Sequence, residues 1–339
     1  PLRVADRSLT EDWVIRWHEG APHRAASSMA PELAVYEAKK IEVFGGEQFL
    51  RHSSGEVEES ELFALSFSVD RLRAEPALLR LELPIREIES SNPIVVYQGH
   101  GATVYGHVLI EMLPRIVLLR LVGYDLSSLN FLIRRDTPAW HRQMLHELFT
   151  IRQDQLIEFD VRSERVRITN AILPTLPRSE NGIHPAAAPL FELMAFAANS
   201  EQLGRSETSF LVRRPTTANP ASYSRSISNF EDVSAAVAAV TKCKIVEPQS
   251  LTFREQVSLF QSAGSVIGEY GSALHNIIFS RHRPLCVCIG HINLLQSAIT
   301  ALRGGEVLYL SCNIVERNLL VDCKKLRQLL ERARDAGVF

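Results

Sequence analysis

His107 and Glu111 stand four residues apart in the stretch GHVLIEMLPR, a spacing that puts both side chains on one face of a helix. Glu111 has apolar neighbours on either side, an odd setting for a carboxylate that only meets water. Such a pair can handle a proton in two ways. The carboxylate can orient the imidazole as a general base, or it can be the base itself. The plainer reading is a surface helix pair, worth about a few tenths of a kcal/mol. Arg115 lies four residues further along the same row, beyond Pro114.

Two other clusters carry charge or freedom where chemistry could use it. Arg213 and Arg214 close the strand-like run SFLVRR, and Arg225 follows eleven residues later. A planar guanidinium donates two parallel hydrogen bonds, which suits a phosphate or diphosphate; ordinary solvated loop charge is the alternative. The stretch GEYGSALHNIIFS sets Gly268 and Gly271 around Glu269 and Tyr270, followed by Ser272, Ala273, His275 and Asn276. Glycines let backbone N–H groups approach an anion, and a helix start adds partial positive charge. A tight turn that needs two glycines for packing accounts for the pattern equally well. The chain has no D-x-D, no G-x-S-x-G and no H-E-x-x-H. A diphosphate bound here would therefore be neutralised by arginines and backbone dipoles rather than by a metal held on D-x-D.

The elements that must position these residues alternate. From residue 208 onward the expected order is strand SFLVRR, helix 228–242 with Ser228 as N-cap and Glu231 completing a capping box, and strand CKIVEP. An amphipathic helix capped by Thr252 with Glu255 follows, then strand SVIGE, short helix SALHNIIF, strand RPLCVCIG, helix NLLQSAITALRG, strand EVLYLSC and a closing helix. This rhythm predicts a doubly wound parallel sheet, which binds ligands outside the carboxyl ends of its strands. GEYG and the arginine-bearing loop both fall at such ends. Between residues 93 and 198 a similar rhythm is expected, with YGHVLIEMLPRIVLLRLVG helical but interrupted at Pro114 and LPRSENGIHPAAAP a loop. Residues 1–90 hold short β-like runs, LFALSFSV among them. The polar SEQLGRSET reads as a linker.

Length and composition bound the rest. The chain has 339 residues, a prior for two domains, and 46% hydrophobic and 22% charged residues, as in a globular protein. A net charge of −2 gives no support to nucleic-acid binding. The five cysteines, Cys243, Cys286, Cys288, Cys312 and Cys323, lack zinc-site spacing and read as free thiols of a reducing compartment. No stretch is long and apolar enough to span a membrane.

In order and spacing these segments resemble glycosyltransferase family 61. HVLIEMLPR is similar to its H-W-x-x-E/D-x-L-P-R element. The strand ending in Arg213 or Arg214, then Arg225 and Asn229, follow in the family's order, as does EQVSLF from Glu255. Residues 268–279 resemble G-x-H-G-A-x-L-T-N-x-x-F, with Gly268, Gly271, Asn276 and Phe279 in place. The chain departs at Tyr270, where the family has His, at His275 for Thr, and at Val108 for Trp. The resemblance runs over residues 94–290.

It implies an α/β, GT-B-like fold, with two Rossmann-like doubly wound domains facing a cleft. A β-rich extension would span 1–90, an acceptor domain 91–203 and a nucleotide-sugar domain 204–339. It implies an inverting glycosyltransferase of bacterial type that needs no metal or other cofactor. Its hexosyl or pentosyl unit would pass from a nucleotide sugar to a saccharide or glycolipid hydroxyl in surface polysaccharide biosynthesis. His107 and Glu111 would be catalytic and Arg115 acceptor-side. Arg213, Arg214, Arg225, Glu255, Tyr270, Gly271, Ser272, Ala273 and Asn276 would bind the donor. The expected setting is cytoplasmic, peripheral at the inner membrane if the acceptor is lipid-linked. Two alternatives stay open: a non-catalytic relative that binds a sugar nucleotide or polysaccharide as an assembly partner, and a GT-B sugar-nucleotide epimerase.

Overall fold

The computed structural model describes residues 14–18, 21–24, 33–52, 55–59, 62–79, 81–179, 182–198, 208–211, 226–315, 318–335 and 337, the first two segments by backbone alone. The chain divides into two compact units. One contains Ser28–Ala197, and the other contains Ala198–Phe339 together with Thr10–Ser27. Each is mixed α/β with a seven-stranded sheet that holds a block of parallel strands.

In the first unit the strands Arg165–Pro174, Ile94–Val96, Asn130–Arg134 and Leu156–Phe159 lie side by side in that order, all parallel. Val35–Phe44 and Phe49–Arg51 extend the sheet antiparallel beyond Arg165–Pro174, and Ile85–Ile88 pairs parallel with that same strand. Ile94, Val95 and Val96 are all buried, as a strand covered on both faces requires. One face packs Ile41, Val43, Leu132, Val166 and Ile168 into a core. Helix Leu113–Leu121 buries every residue from Leu113 to Leu119.

Two sequence expectations need correction here. LFALSFSV is not β-like: Ser66–Ala74 is a helix, with Leu65, Val69 and Leu72 buried. Short apolar runs read as strand or helix until a partner selects the period, and here Leu72 packs with Phe44 and Phe49. Nor does the helical run break at Pro114. Tyr105–His107 passes into a π-helical turn, Val108–Met112, in which the Leu113 N–H donates to the Val108 carbonyl, and Leu113–Leu121 continues from it. Proline has no N–H to give to the preceding turn, and the wider turn sits immediately ahead of it.

In the second unit the sheet order is Cys243–Val246, Thr208–Leu211, Ser265–Glu269, Leu285–Gly290 and Glu306–Ser311, all parallel, followed by Val14–His18 and Ala21–Arg24. The order 2-1-3-4-5 of the first five is a common doubly wound arrangement, with its switch point between Thr208–Leu211 and Ser265–Glu269. Phe210, Ile267, Val287 and Leu308 pack on one face against Val233 and Val237 of helix Phe230–Ala238 and Leu326 and Leu330 of helix Cys323–Asp335. Cys286 and Cys288 are buried free thiols, and the other three cysteines are half-buried and free. The Thr252–Glu255 capping box forms as expected, with the Thr252 hydroxyl accepting from the Glu255 N–H and the Glu255 carboxylate accepting from the Thr252 N–H. Ser228, by contrast, is not an N-cap. That position belongs to Asn229, and the Ser228 hydroxyl donates to the Leu319 carbonyl. Among the described residues no helix is long and apolar enough to cross a membrane.

Asn229 leaves its own helix uncapped because its amide is engaged elsewhere. Nδ2 donates to the Val321 carbonyl at 2.9 Å, and Oδ1 accepts the Val321 N–H at 3.1 Å. Asn229→Ala is expected to cost about 1–3 kcal/mol, the penalty for leaving such groups unpaired, read as a lower urea midpoint. An unchanged midpoint would mean water replaces the amide at no cost.

Candidate functional site

In the first unit one group of charged side chains lies at the carboxyl ends of two adjacent parallel strands. The strand order reverses between Arg165–Pro174 and Ile94–Val96, and the loops leaving those strands carry Arg178 and His100 respectively. The helical run that begins at Tyr105 brings His107 and Glu111 to the same place. Both lie in or beside the π turn, a local geometry that recurs at functional sites.

His107 Nδ1 and Glu111 Oε1 are 2.6 Å apart. The same carboxylate oxygen accepts from Arg178 Nε at 3.0 Å and Nη2 at 2.6 Å, while Arg178 Nη1 donates to the Ser179 carbonyl. The Glu111 side chain is 2% exposed and that of His107 27%. Burial alone would push the Glu111 carboxyl up, but the charges of Arg178 and His107 outweigh it and hold the group down at about 2. So weak a base, facing two donors, is suited to orienting His107 and offsetting its charge. Glu111 fixes Nδ1 as the protonated nitrogen and leaves Nε2 to act.

A second histidine borders this group. His100 Nδ1 lies 2.9 Å and 3.1 Å from the two oxygens of Glu47, whose carboxylate also accepts from the Ser68 hydroxyl. The His100 and His107 rings meet edge to face, with centroids 5.2 Å apart. Gly101 between them has φ +69°, and a Cβ there would come within 2.5 Å of the His107 ring. Glu47 raises His100 above the ordinary histidine value, against the opposing effect of burial.

Arg115 lies buried beneath this loop. It donates to the carbonyls of Tyr97, Gln98 and Phe63. His141 holds the loop from the other side, with its two nitrogens near the Tyr97 hydroxyl and the Ala102 carbonyl. Burial lowers its pKa to about 4, so it is a neutral core histidine.

In the second unit Tyr270, Gly271, Ser272 and Ala273 follow the carboxyl end of Ser265–Glu269, beside the switch point. Gly271 has φ +154° and ψ −178°, backbone open essentially to glycine alone. Gly268 serves packing: a Cβ there would press on Leu211 at 3.1 Å and Leu274 at 3.2 Å. The Tyr270 ring lies against that of His291, with centroids 3.8 Å apart. Asn276 is buried, and its amide donates to Gln256 and to the Ala273 carbonyl. Glu255 is engaged in its capping box. Arg213, Arg214 and Arg225, and the linker SEQLGRSET, lie outside the described residues, apart from Thr208 at the start of a strand. Among the described residues no group of three or more His, Cys, Asp or Glu side chains is placed to hold a metal ion.

Residues 105–288, more than half of the chain, match the family model described as Glycosyltransferase 61. The chain belongs to glycosyltransferase family 61. A search of curated proteins finds no match. Membership makes a sugar donor and an acceptor the general substrates, and the parallel α/β units are compatible with a Rossmann-like glycosyltransferase fold. The match includes His107, Glu111 and Arg178 of this family 61 chain but not Glu47 or His100. The sequence reading missed Arg178, His100 and Glu47. The available signal was Glu111 itself, since a carboxylate in an apolar helix face demands a cation from elsewhere in the chain.

Glu111 is ionised because Arg178 is present, which gives a signed expectation for pH. A depressed carboxyl contributes stability above its ordinary value and loses it as pH falls toward 2. In Arg178→Gln burial prevails, and the carboxyl must protonate or stay charged without its main partner. Urea unfolding at pH 7 is expected to show a loss of about 3–5 kcal/mol, with the gap to wild type narrowing as pH falls through the ordinary carboxylate range. A gap that does not change with pH would mean that Glu111 is not the group responsible.

Proposed function

We propose that this chain is an inverting, metal-independent glycosyltransferase of GT-B architecture that passes a sugar from a nucleotide sugar to a hydroxyl acceptor. One observation carries the reading: a half-exposed histidine held by a buried, ionised carboxylate at the carboxyl ends of adjacent parallel strands. That is the arrangement of a general base whose ring is oriented and whose positive charge is offset in advance.

In this reaction the acceptor hydroxyl gives its proton to His107 Nε2 while its oxygen forms a bond to the anomeric carbon. The bond from that carbon to the diphosphate breaks on the opposite face, and its electron pair leaves with the nucleoside diphosphate. Glu111 and Arg178 stay charged throughout, and Glu111 stabilises the imidazolium. The donor is assigned to residues 204–339, with the diphosphate against the backbone of Gly271, Ser272 and Ala273 and against Arg213 or Arg214 and Arg225. The acceptor is assigned to residues 91–203. Preorganised donors of this kind stabilise growing charge on a leaving group without reorganisation. A place in surface polysaccharide assembly, at the cytoplasmic side of an inner membrane, follows from the resemblance to bacterial members.

Thermal melts with UDP, GDP, CMP and TDP and their sugars, with and without EDTA, test the donor half. A ligand at 100 times its Kd adds about 2.7 kcal/mol, and the shift is expected with one base, insensitive to EDTA. With the donor identified, His107→Gln is expected to keep the melting shift and lose about 10²–10⁴-fold in transfer rate. Full transfer by His107→Gln would remove the histidine from the chemistry. Interconversion of the donor without acceptor would make the chain an epimerase instead.

A further inference from the structure

A cavity of about 250 Å³ opens in the first unit, and the reaction proposed above leaves it unused. Three segments far apart in the chain wall it. Glu47 and Phe49 come from the turn and strand after Val35–Phe44, Ser68 and Arg71 from one face of helix Ser66–Ala74, and Val161 and Arg162 from the turn after Leu156–Phe159. The cavity lies on the side where parallel sheets bind ligands. Arg162 follows the carboxyl end of Leu156–Phe159. Arg134, at the carboxyl end of the neighbouring parallel strand, ties down the Glu47 turn by donating to the Gly46 carbonyl at 3.0 Å.

The charges around the cavity are unevenly engaged. Glu47 holds His100 Nδ1 with both oxygens and accepts from the Ser68 hydroxyl. The two arginines are exposed. Arg71 faces Glu75 at 3.5 Å in an exposed pair, and such pairs hold a guanidinium loosely. Arg162 gives its backbone N–H to Asp160, and among the described residues its guanidinium has no hydrogen bond or ion pair. Asp136, within electrostatic reach of Arg162, is bound through both oxygens by Arg134.

We propose that this cavity binds one sugar ring that carries an anionic group, a carboxylate or a phosphate. Arg71 and Arg162 take the anion, Phe49 and Val161 meet the C–H face of the ring, and Glu47 accepts from a ring hydroxyl. A planar guanidinium suits either anion, because it donates two parallel bonds. The volume selects a single ring: clefts that enclose a drug-sized ligand run to about 300–1,000 Å³, and a nucleotide would overfill this one. Glu47 links the cavity to the histidines, since it holds His100, whose ring meets that of His107 with centroids 5.2 Å apart. An acidic ring of the acceptor is therefore the fitting occupant. That use rests on the transferase reading; the binding itself does not.

Ligand-observed NMR on the full chain reads the binding, with methyl glucuronide, glucose 6-phosphate, methyl glucoside and inorganic phosphate as probes. At least one of the two anionic sugars is expected to bind about tenfold or more tightly than methyl glucoside and than inorganic phosphate, and the preference between them names the anion. In Arg162→Gln and in Arg71→Gln that advantage over methyl glucoside is expected to fall by about tenfold. Melting temperatures should stay in place, because both side chains are exposed. The proposal is overturned if methyl glucoside binds as well as the anionic sugars, if inorganic phosphate binds as well as either, if both variants bind as wild type does, or if no probe binds. With a donor identified, Arg162→Gln is expected to raise KM for an acidic acceptor and leave kcat unchanged. Probe binding without transfer to any acidic acceptor would leave the site standing and remove only its use in the reaction.

Discussion

The first unit is organised around one buried charge. Glu111 sits in a helical run whose other residues, from Val108 to Leu119, are all buried. Ionising a carboxylate there is costly unless cations reach it. Arg178 supplies the nearest guanidinium and His107 the second contact. The consequences spread outward. Arg178 must come from the loop after Arg165–Pro174, so that strand has to lie next to Ile94–Val96, which feeds the helix carrying Glu111. The register of two strands, the exit of two loops and the phase of one helix are thereby tied to a single oxygen atom. The π turn belongs to the same constraint, since it sets where His107 and Glu111 project just before the helix resumes at a proline.

Rigidity in the loop that carries His100 has a different source. Residues 97–102 form no regular element, yet the carbonyls of Tyr97 and Gln98 accept from Arg115 and that of Ala102 lies near His141 Nδ1. The Gln98 side chain adds bonds to the Arg134 N–H and to Thr137. Arg115 thus works as a backbone clamp for the segment beside His107. An arginine one helical turn beyond Glu111 invites assignment to a ligand, but burial and three carbonyl partners occupy it within the fold. Sites supported by such a shell keep their geometry without help from the ligand.

The parts legible in the sequence were those set by local rules. Helical spacing joined His107 to Glu111, and the Thr252–Glu255 cap could be read from four residues. Alternating strands and helices announced the parallel sheets. What escaped was set at long range. Arg178 lies 67 positions from Glu111, in a loop whose polar composition says only that it is a loop. Glu47 lies 53 positions from His100, in a turn that nothing local connects to a histidine. Ser228 looked like a cap by the same rule that succeeded at Thr252; it failed because Leu319 offered its hydroxyl a tertiary partner. LFALSFSV failed because eight residues with three phases of apolar side chain fit two periods.

The two glycines of GEYG show how one motif divides its work. Gly268 is small because Leu211 and Leu274 press on it, so it belongs to the packing of the sheet. Gly271 is there for its backbone angles, which no other residue adopts readily. Tyr270, next to Gly271, narrows the arrangement further. The Tyr270 N–H donates to the Ile289 carbonyl, so the sheet uses the donor nearest the strand end. An anion at this turn would have to be met from Gly271 onward, by the first N–H groups of the helix that starts at Ser272, which helix geometry leaves without intrahelical partners. A histidine in place of Tyr270 would bring a side-chain donor to the same turn. Tyrosine instead puts an aromatic ring against His291. The side chain at this position is thus engaged with His291, while the backbone N–H groups from Gly271 onward belong to the turn and the start of the helix.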